Sequence, residues 1–400
     1  MGDAKVTPAS VLDKCESRPT VVSGRIVMAT EVLKTGGEAD YGDAVTRAAA
    51  ILSKGGLVAF PTETVYGLGA CVDKPAAVDR LRGLKSRQGD KAFTVHLGAA
   101  EKATEFVPEL SLLARRFIHK VWPGPVTLVL PVDDPSKAAV MVGRNGAAAG
   151  TMYFERTIGL RCPSDRLAHA LLQAVEGPVV ATSANLAGNP SPQTGADVLR
   201  DLDGRIDLLL DAGRTEFSMP STIVRVSGSS FELLREGVYD ARMIERLAVL
   251  RVLFVCSGNT CRSPMAAGLA ASMIAGKLGC KVADLPAKGV VVESAGVSGG
   301  AGCASNHAAA VMARRGVDLA GHISRSVTPE MLQQADYVYA MTASHRQTLL
   351  QMAPPIADRV YLLLEGDEVA DPVGGTLDDY ERCAQTLERG LKARLPEMLL

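Results

Sequence analysis

The sequence predicts an α/β fold in two domains, each built on its own sheet. At 400 residues, the chain is longer than the stretch that usually shares one hydrophobic core. Apolar segments of strand length alternate with segments of helical periodicity along most of it. In each half, a short apolar strand runs into a glycine-containing loop. We predict a loose leader over residues 1–24, a first domain over 25–240, a short linker over 241–249 and a second domain over 250–400.

Composition narrows the class of protein. The net charge of -1 argues against bulk electrostatic capture of nucleic acid. Eight scattered cysteines without a C-x-x-C pair predict neither a disulfide framework nor a zinc site. No apolar run reaches the length of a membrane span, and the chain does not start with a signal-peptide pattern. We therefore expect a cytoplasmic protein without a membrane partner.

The first domain opens with elements that the sequence marks clearly. A strand is predicted from Arg25, and a helix over Asp43–Leu52 has apolar residues at helical spacing. Gly55 follows that helix as a C-terminal cap. Leu57–Phe60 then reads as a short buried strand, and Pro75–Leu84 as the next helix. This alternation predicts an α/β domain.

Two patterns near this second helix have both an ordinary and a functional interpretation. The loop PTETVYGLG begins at Pro61, directly after the buried strand. Taken alone, it is a glycine-rich turn. Lys85, Arg87 and Lys91 follow the helix. Such a run is usually a solvated face, but basic groups between a helix and a strand can also converge on a phosphate.

The order of further motifs gives these patterns a specific meaning. WPGPVT begins at Trp122, the S-x-N pair is Ser183 and Asn185, and PSTI begins at Pro220. Together with PTETVYGLG and the K-x-R pair, they resemble the YrdC-type threonylcarbamoyl-AMP synthases over about Arg25–Asp240. The resemblance implies an α/β domain with a twisted mixed sheet.

The resemblance also implies a reaction and its residues. L-Threonine, bicarbonate and ATP, the last with Mg²⁺, would give threonylcarbamoyl-adenylate for the machinery that makes t6A at position 37 of tRNA. Cationic side chains and a metal must offset the anionic partners, although no protein metal ligand is identified. The residues expected at ATP are Lys85, Arg87, Lys91, Thr157, Ser183, Asn185, Ser191 and Arg235. Those expected at L-threonine are Thr64, His96, Arg161, Ala181 through its backbone, and Ser221.

Two points remain open in this half. An RNA-binding module without synthase activity is the alternative function. The segment 133–153, rich in glycine and alanine, is longer than the usual family connection and is expected to form a mobile flap.

The second domain begins with a strand–loop–helix pattern. The apolar strand Arg251–Val255 ends at Cys256. Ser263 is predicted to cap a helix that Pro264 opens and that runs to about Ile274. The N-terminus of a helix presents unpaired N–H groups and the positive end of a dipole. The pattern therefore predicts a cradle for an anion.

The residue types in that cradle predict phosphate chemistry. Cys256 and Arg262 have the C-x5-R spacing, so the arginine can bind two phosphoryl oxygens. The cationic surroundings favour the thiolate form of Cys256. A lone cysteine is more often a core residue, but this context argues against that. The remaining cradle residues are Ser257, Gly258, Asn259, Thr260, Cys261 and Ser263.

A phosphatase with a cysteine nucleophile also needs a general acid. Asp371 supplies a candidate, followed by Pro372 and preceded by a strand-like segment, Val360–Leu364. The combined pattern resembles the low-molecular-weight protein-tyrosine phosphatase family over about Leu250–Leu400. That resemblance implies a small doubly wound parallel sheet and hydrolysis of a phosphorylated protein through a phosphocysteine, without a metal or cofactor.

Substrate specificity and one cysteine stay open. Thr260 replaces the isoleucine common in tyrosine phosphatases, and Val373 with two glycines replaces aromatic residues after Asp-Pro. Both features resemble the protein-arginine phosphatase branch, so phosphoarginine is favoured over phosphotyrosine. Cys261 either packs beneath the loop or forms a reversible disulfide with Cys256.

Overall fold

A computed structural model describes residues 20–22, 25–27, 29–37, 41–85 and 92–398. Most of the predicted leader, together with Arg87 and Lys91, lies outside the described residues. The chain divides into two compact units, Met1–Ala114 with Ile118–Met243 and Arg115–Phe117 with Ile244–Leu400.

The first unit is α/β. Its strands are β1 (Thr20–Val22), β2 (Arg25–Val27), β3 (Glu31–Lys34), β4 (Val58–Phe60), β5 (Gly67–Cys71), β6 (Thr94–His96), β7 (Val126–Pro131), β8 (Tyr153–Phe154), β9 (Thr157–Arg161), β10 (Val179–Ser183), β11 (Leu208–Asp211), β12 (Thr222–Ser227) and β13 (Ser230–Arg235). Its helices are α1 (Tyr41–Ser53), α2 (Pro75–Leu84), α3 (Ala103–Phe106), α4 (Leu112–Val121), α5 (Gly146–Met152), α6 (Arg166–Ala174) and α7 (Gly195–Leu202).

One large mixed sheet organises this unit. Its order is β13-β12-β7-β9-β6-β10-β5-β4-β11-β3, with β8 paired to β9, while β1 and β2 form a separate antiparallel pair. The pairs β3–β11, β4–β11, β6–β9 and β7–β12 are parallel, and β4–β5, β5–β10 and β7–β9 are antiparallel. Helices α1 and α6 bury Leu52 and Leu171 in one core with Phe60. The predicted mixed α/β sheet is confirmed.

Local sequence signals explain helices α1 and α2, which come before and after the PTETVYGLG loop in the sequence. Helix α2 has Pro75 in its first turn, where a missing N–H costs nothing. Helix α1 is followed by Gly55 at φ +91°, a left-handed conformation that glycine adopts without strain. Both helices were predicted from these signals.

The segment 133–153, predicted as a mobile flap, contains regular structure. It forms two 3₁₀ turns, Pro135–Lys137 and Ala139–Met141, and then helix α5. The Asn145 side chain accepts from the N–H groups of Ala147 and Ala148 and so caps α5. Alanine has the highest helix propensity, which outweighs the glycines in this segment.

The second unit contains four strands and five helices among the described residues, after a bridging helix. That helix is α8 (Ala241–Ala248), within the segment 241–249. The strands are β14 (Leu250–Cys256), β15 (Val290–Gly296), β16 (Tyr337–Ala340) and β17 (Val360–Leu362). The helices are α9 (Arg262–Leu278), α10 (Asn306–Ala313), α11 (Pro329–Gln334), α12 (Ala343–Met352) and α13 (Leu377–Met398).

This sheet is parallel and covered on both faces. Its order is β15-β14-β16-β17, and each neighbouring pair is parallel. Successive residues of β14 face opposite sides: Phe254 joins the core of α9 and α13, whereas Val255 joins the core of α11 and α12. The predicted doubly wound parallel sheet is confirmed. Its strand order reverses at β14, where such sheets bind ligands at their carboxyl ends.

The predicted helix cap at Ser263 is wrong. Helix α9 begins at Arg262, its cap position is Cys261, and no side chain caps it. The Ser263 hydroxyl is occupied elsewhere, because it lies 3.0 Å from Cys256 Sγ and donates to the carbonyl of Ala295 at 3.2 Å. The first N–H groups of α9 therefore have no capping side chain.

Gly296 lies where the carboxyl ends of strands β14 and β15 pack against each other. A Cβ at this position would lie 2.4 Å from the carbonyl oxygen of Ser257. We expect Gly296→Ala to lower the stability of the second unit by about 1–3 kcal/mol, as overpacking does. Calorimetric unfolding measures the loss. Gly276→Ala is the control, since no atom lies within 4 Å of its Cβ, and it should stabilise α9 by about 0.5–1 kcal/mol. Equal melting temperatures for both variants would contradict the close packing.

Candidate active sites

The first unit contains a cavity of about 170 Å³ between its central strands. Seven of the residues predicted from the sequence line it: His96, Arg161, Ala181, Ser183, Ser191, Ser221 and Arg235. They come from strands β6, β9, β10 and β13 and from connecting loops. The mixed sheet therefore brings together side chains that are far apart in the sequence.

Arg161 is the most deeply buried cation of this cavity. It ends strand β9, and its side chain is 6% exposed. Its Nη2 donates to Glu63 Oε1 at 2.8 Å and to Thr64 Oγ1 at 2.7 Å. Its Nε is buried and has no hydrogen-bond partner among the described residues. A buried donor without an acceptor is costly, so the site suits a ligand that accepts from Arg161.

Glu63 is a site residue that the sequence interpretation did not single out. Its side chain is 2% exposed and pairs with Arg161. Its other oxygen, Oε2, accepts from the N–H groups of Ser164 and Asp165 at 3.1 and 3.4 Å. These bonds fix the carboxylate. Its place inside PTETVYGLG, two residues after Pro61, was the available signal.

Arg235 supplies a second cation at the same cavity. Its Nη2 donates to the carbonyl of Ser221 at 2.7 Å and to the Ser221 hydroxyl at 3.0 Å. That hydroxyl is also hydrogen-bonded with Thr127 Oγ1 at 3.1 Å. Thr127 lies in the WPGPVT motif and was not predicted as a site residue. Two guanidinium groups around one cavity favour an anionic ligand.

Lys85 is held beside the S-x-N pair. Its Nζ donates to Asn185 Oδ1 at 2.7 Å, to the Asn185 carbonyl at 2.6 Å and to Ser183 Oγ at 3.3 Å. The predicted cluster of these three residues therefore exists. Thr157 lies apart from it: it starts strand β9, which Arg161 ends, and its hydroxyl donates to the carbonyl of Phe154 at 2.8 Å.

His96 is neutral in this setting. Burial, and secondly the neighbouring charge of Arg161, lower its pKa from 6.5 to about 3. Its Nδ1 lies 3.4 Å from the carbonyl of Thr94. The unfolded chain thus binds one more proton than the folded chain between these two pH values. The contribution of His96 to stability is complete above pH 6.5 and falls as the pH drops toward 3.

This linkage can be measured with His96→Phe, which keeps a ring but removes the proton. The stability of the wild-type protein should fall relative to the variant by up to about 1.4 kcal/mol per pH unit below the ordinary histidine value. Urea unfolding of both proteins in a pH series gives the difference. Parallel pH profiles would contradict a neutral buried His96.

The second unit places its cysteine at the end of the central strand. Cys256 is 2% exposed and is directly followed by the loop that leads into α9. Asn259 in this loop has φ +55°, a left-handed conformation that asparagine tolerates better than most residues. Its fully buried side chain donates to the hydroxyls of Ser263 and Ser294, each at 2.9 Å. The loop is thus tied to α9 and to β15.

Three further bonds hold the same asparagine. Its carbonyl lies 2.7 Å from His322 Nε2 and accepts from the Ser324 hydroxyl at 2.7 Å. Its Oδ1 accepts from the N–H of Arg325 at 3.0 Å. The segment 322–325 therefore supports the loop from behind. Nothing in the local sequence of His322 indicates this contact.

Arg262 and Asp371 meet at the mouth of the loop. Arg262 Nη2 forms an ion pair with Asp371 Oδ2 and also donates to Ser257 Oγ at 3.1 Å. Its Nη1 donates to the carbonyl of Val369 at 3.2 Å. The Arg262 side chain is 5% exposed, and that of Asp371 is 37% exposed. Residues 109 positions apart in the sequence are thus brought together, as the predicted site requires.

The contacts of Cys261 match its packing interpretation. Its Sγ lies 3.3 Å from Ser305 Oγ and 3.2 Å from the Tyr380 hydroxyl. Cys256 and Cys261 are both free thiols in the structure. Thr260 is half-buried, and its carbonyl accepts from the N–H of Ser305.

His345 is a further residue that sequence reasoning missed. It lies in the first turn of α12, just beyond strand β16, and its Nε2 is 2.9 Å from Ser257 Oγ. It belongs to no recognised motif. Its position after the carboxyl end of a strand next to β14 was the available signal.

The described residues contain neither a metal-binding cluster nor a membrane-spanning helix. Among the described residues, no group of three or more histidine, cysteine, aspartate or glutamate side chains is placed to hold a metal ion. None of the helices in the described part of the chain is long and apolar enough to cross a membrane.

Each of the two units contains a stretch that matches the model of a known protein family. Residues 50–237 match the family model of the Sua5, YciO and YrdC proteins, described as Telomere recombination. Residues 251–399 match that of the low molecular weight phosphotyrosine protein phosphatases.

The chain is 35% identical to the threonylcarbamoyl-AMP synthase of Pyrococcus abyssi over 204 residues, which are 50% of this chain and 56% of that protein. For the Bacillus subtilis synthase the values are 34%, 215 residues, 54% and 58%. The chain thus spans little more than half the length of these relatives.

Matches among solved structures include the following two. Pyrococcus abyssi Sua5 complexed with L-threonine is 23% identical, and the match covers 66% of this chain and 92% of that chain with a TM-score of 0.49. YwlE arginine phosphatase from Geobacillus stearothermophilus is 36% identical, with coverage of 38% and 92% and a TM-score of 0.32.

Proposed function

Because residues 50–237 belong to the Sua5–YciO–YrdC family and residues 251–399 to the low-molecular-weight phosphatase family, we propose that the chain is a bifunctional enzyme. The first domain, over about 25–240, makes L-threonylcarbamoyl-adenylate. The second, over about 250–400, hydrolyses phosphorylated arginine side chains of proteins.

The buried Arg161 carries the first assignment. Its unpartnered Nε can donate to the carboxylate of L-threonine, while Glu63 holds the other side of the guanidinium. Ser221, His96 and the Ala181 backbone complete the walls around the amino acid. The planar fork of arginine matches a carboxylate better than a lysine would.

The reaction proceeds in two steps. The threonine amine and bicarbonate give a carbamate and water, and a carbamate oxygen then attacks the α-phosphorus of ATP with loss of pyrophosphate. Arg235 and the Lys85 cluster offset the negative charges that meet. Arg87 and Lys91 are proposed at the ATP phosphates by family position. Mg²⁺ would enter with ATP and add further positive charge, and the roles of these side chains do not depend on it. The product would be consumed by the tRNA-modifying machinery.

Arg161→Lys tests the first assignment. Losing one charge-assisted hydrogen bond costs about 1.5–3 kcal/mol, so KM for threonine should rise by about 10–100-fold. Threonine- and bicarbonate-dependent release of pyrophosphate from ATP measures it. Lys85→Gln should instead raise KM for ATP. Arg225→Lys, at an exposed position of β12, is the matched control. A protein that binds tRNA but never releases pyrophosphate would favour an RNA-binding module.

The ion pair between Arg262 and Asp371 supports the second assignment. We propose that a phosphoryl group takes the place of Asp371 on Arg262, and that the Cys256 thiolate attacks phosphorus. The displaced Asp371 carboxylate takes up a proton from solvent and gives it to the departing nitrogen or oxygen as the bond from phosphorus to that atom breaks. A phosphocysteine forms, and water attacks its phosphorus with Asp371 as the base. Inorganic phosphate leaves and the thiolate is restored.

Thr260 supports phosphoarginine as the substrate. Its hydroxyl lies on the loop beside Cys261, where a polar guanidino group can interact with it. Val373, which follows Asp371 and Pro372, is 68% exposed and offers no aromatic ring for a tyrosyl group. The chemistry of both positions favours a polar substrate side chain over a flat aromatic one.

Thr260→Ile tests this specificity. We expect the ratio of kcat/KM for phosphoarginine over phosphotyrosine peptides to fall by at least about tenfold, the usual range for one changed contact. Cys256→Ser provides the inactive background, and turnover in that variant would contradict the nucleophile. An unchanged ratio in Thr260→Ile would remove the specificity argument, and a wild-type preference for phosphotyrosine would establish the alternative.

A further inference from the structure

Three groups anchor or restrain the Arg262 guanidinium before a substrate binds. The Val369 carbonyl accepts from Nη1, whereas Ser257 Oγ and the Asp371 carboxylate both accept from Nη2. An incoming phosphoryl group must replace Asp371, because both are anions and compete for the same donor. The orientation of Arg262 during binding then depends on Val369 and Ser257.

Ser257 is itself oriented by one residue. Among the described residues, its hydroxyl is hydrogen-bonded only with Arg262 and with His345 Nε2, at 2.9 Å. Arginine can only donate, so it takes a lone pair of Ser257 Oγ. We assign the remaining bond as donation from the Ser257 hydroxyl to an unprotonated His345 Nε2, which places the ring proton on Nδ1. On the other side of the ring, His345 Nδ1 lies 2.9 Å from Thr342 Oγ1, which can accept the ring proton.

His345 is held in place for this role. It is 6% exposed and lies in the first turn of α12, where its own N–H donates to Thr342 Oγ1 at 3.2 Å. Thr342 is the N-cap of the helix. The ring thus cannot turn without losing bonds at both nitrogens. A chain of hydrogen bonds runs from the cap of α12 through the ring to the phosphate-binding arginine.

We propose that His345 is a positioning residue of the phosphatase reaction: through the Ser257 hydroxyl, it fixes the Arg262 guanidinium in the orientation that receives the phosphoryl oxygens. The proposal rests on the phosphatase function proposed above. His345 does not touch the phosphoryl group and acts only through Ser257.

Charge makes this arrangement sensitive to pH. Burial, and secondly the positive charge of Arg262, lower the pKa of His345, while the carboxylates of Asp371 and Glu368 oppose this. The ring is therefore neutral at neutral pH. At lower pH, protonation turns Nε2 into a donor and places a second cation near Arg262. The Ser257 hydroxyl must then accept from both Nε2 and Arg262 and turn its proton elsewhere, which disturbs the orientation of Arg262.

His345→Phe tests the proposal, since it keeps a ring but removes both nitrogens. We expect the inhibition constant of inorganic phosphate and KM for p-nitrophenyl phosphate to rise about tenfold, the equivalent of about 1.4 kcal/mol. His345→Gln, whose Oε1 can accept from Ser257, should stay within about threefold of wild type. In a Ser257→Ala background, His345→Phe should have no further effect.

Two controls separate positioning from a structural role. Leu349→Ala removes a fully buried side chain from the same helix, so it should lower Tm without changing KM. As the pH falls below 6.5, inhibition of the wild type by phosphate should weaken more than inhibition of His345→Gln. The ratio of the two inhibition constants cancels the titration of phosphate itself. An unchanged KM in His345→Phe, or additive effects with Ser257→Ala, would overturn the proposal. Absence of p-nitrophenyl phosphate turnover in the wild type would instead refute the phosphatase function.

Discussion

The phosphatase unit depends on the hydrogen bonds of one buried side chain, that of Asn259. Its side-chain amide ties the loop after β14 to Ser263 and Ser294, while the backbone carbonyl of the same residue is held by His322 and Ser324. A left-handed residue in the middle of the loop turns the chain sharply between strand and helix. The bonds offset the cost of that conformation, and the parallel sheet supplies the partners because β14 and β15 end side by side.

Both sites place a buried arginine beside a carboxylate, with different consequences. Glu63 is 2% exposed and receives two backbone N–H bonds, so it is a permanent partner of Arg161. Asp371 is 37% exposed at its side chain and can leave Arg262 for solvent or substrate. Burial distinguishes the two pairs: removing a partner from a deeply buried pair is costly, whereas a half-exposed pair exchanges easily. The first carboxylate therefore fixes an arginine, and the second is free to move during a reaction.

Much of the fold could be predicted because local signals agree with tertiary structure. Helix α2 could be predicted in full, since Pro75 opens it and its apolar residues have helical spacing. The cap at Ser263 could not, because the hydroxyl is used by contacts from β14 and β15 that are distant in sequence. The helix in the segment 133–153 was not predicted, although its alanines and the cap at Asn145 favour one.

The predicted site residues show the same limit. Motif order predicted His96, Arg161 and Ser221 as residues of one site, and all three line one cavity. Glu63 and His345 were missed, since neither has a motif role of its own: Glu63 pairs with Arg161, and His345 contacts the serine that accepts from Arg262. Residues that support a site are recognised by their contacts, which a single sequence does not contain.

The pairing of Asp371 with Arg262 also acts as a built-in competitor for ligands. Any anion that enters the loop must displace a carboxylate of this same chain before it gains the guanidinium. A singly charged ion exchanges one ionic contact for a similar one and gains little. A dianionic phosphoryl ester has more negative charge and more acceptor oxygens, so it displaces the Asp371 carboxylate more readily. In the proposed phosphatase reaction, this exchange favours anions that carry more negative charge than the Asp371 carboxylate.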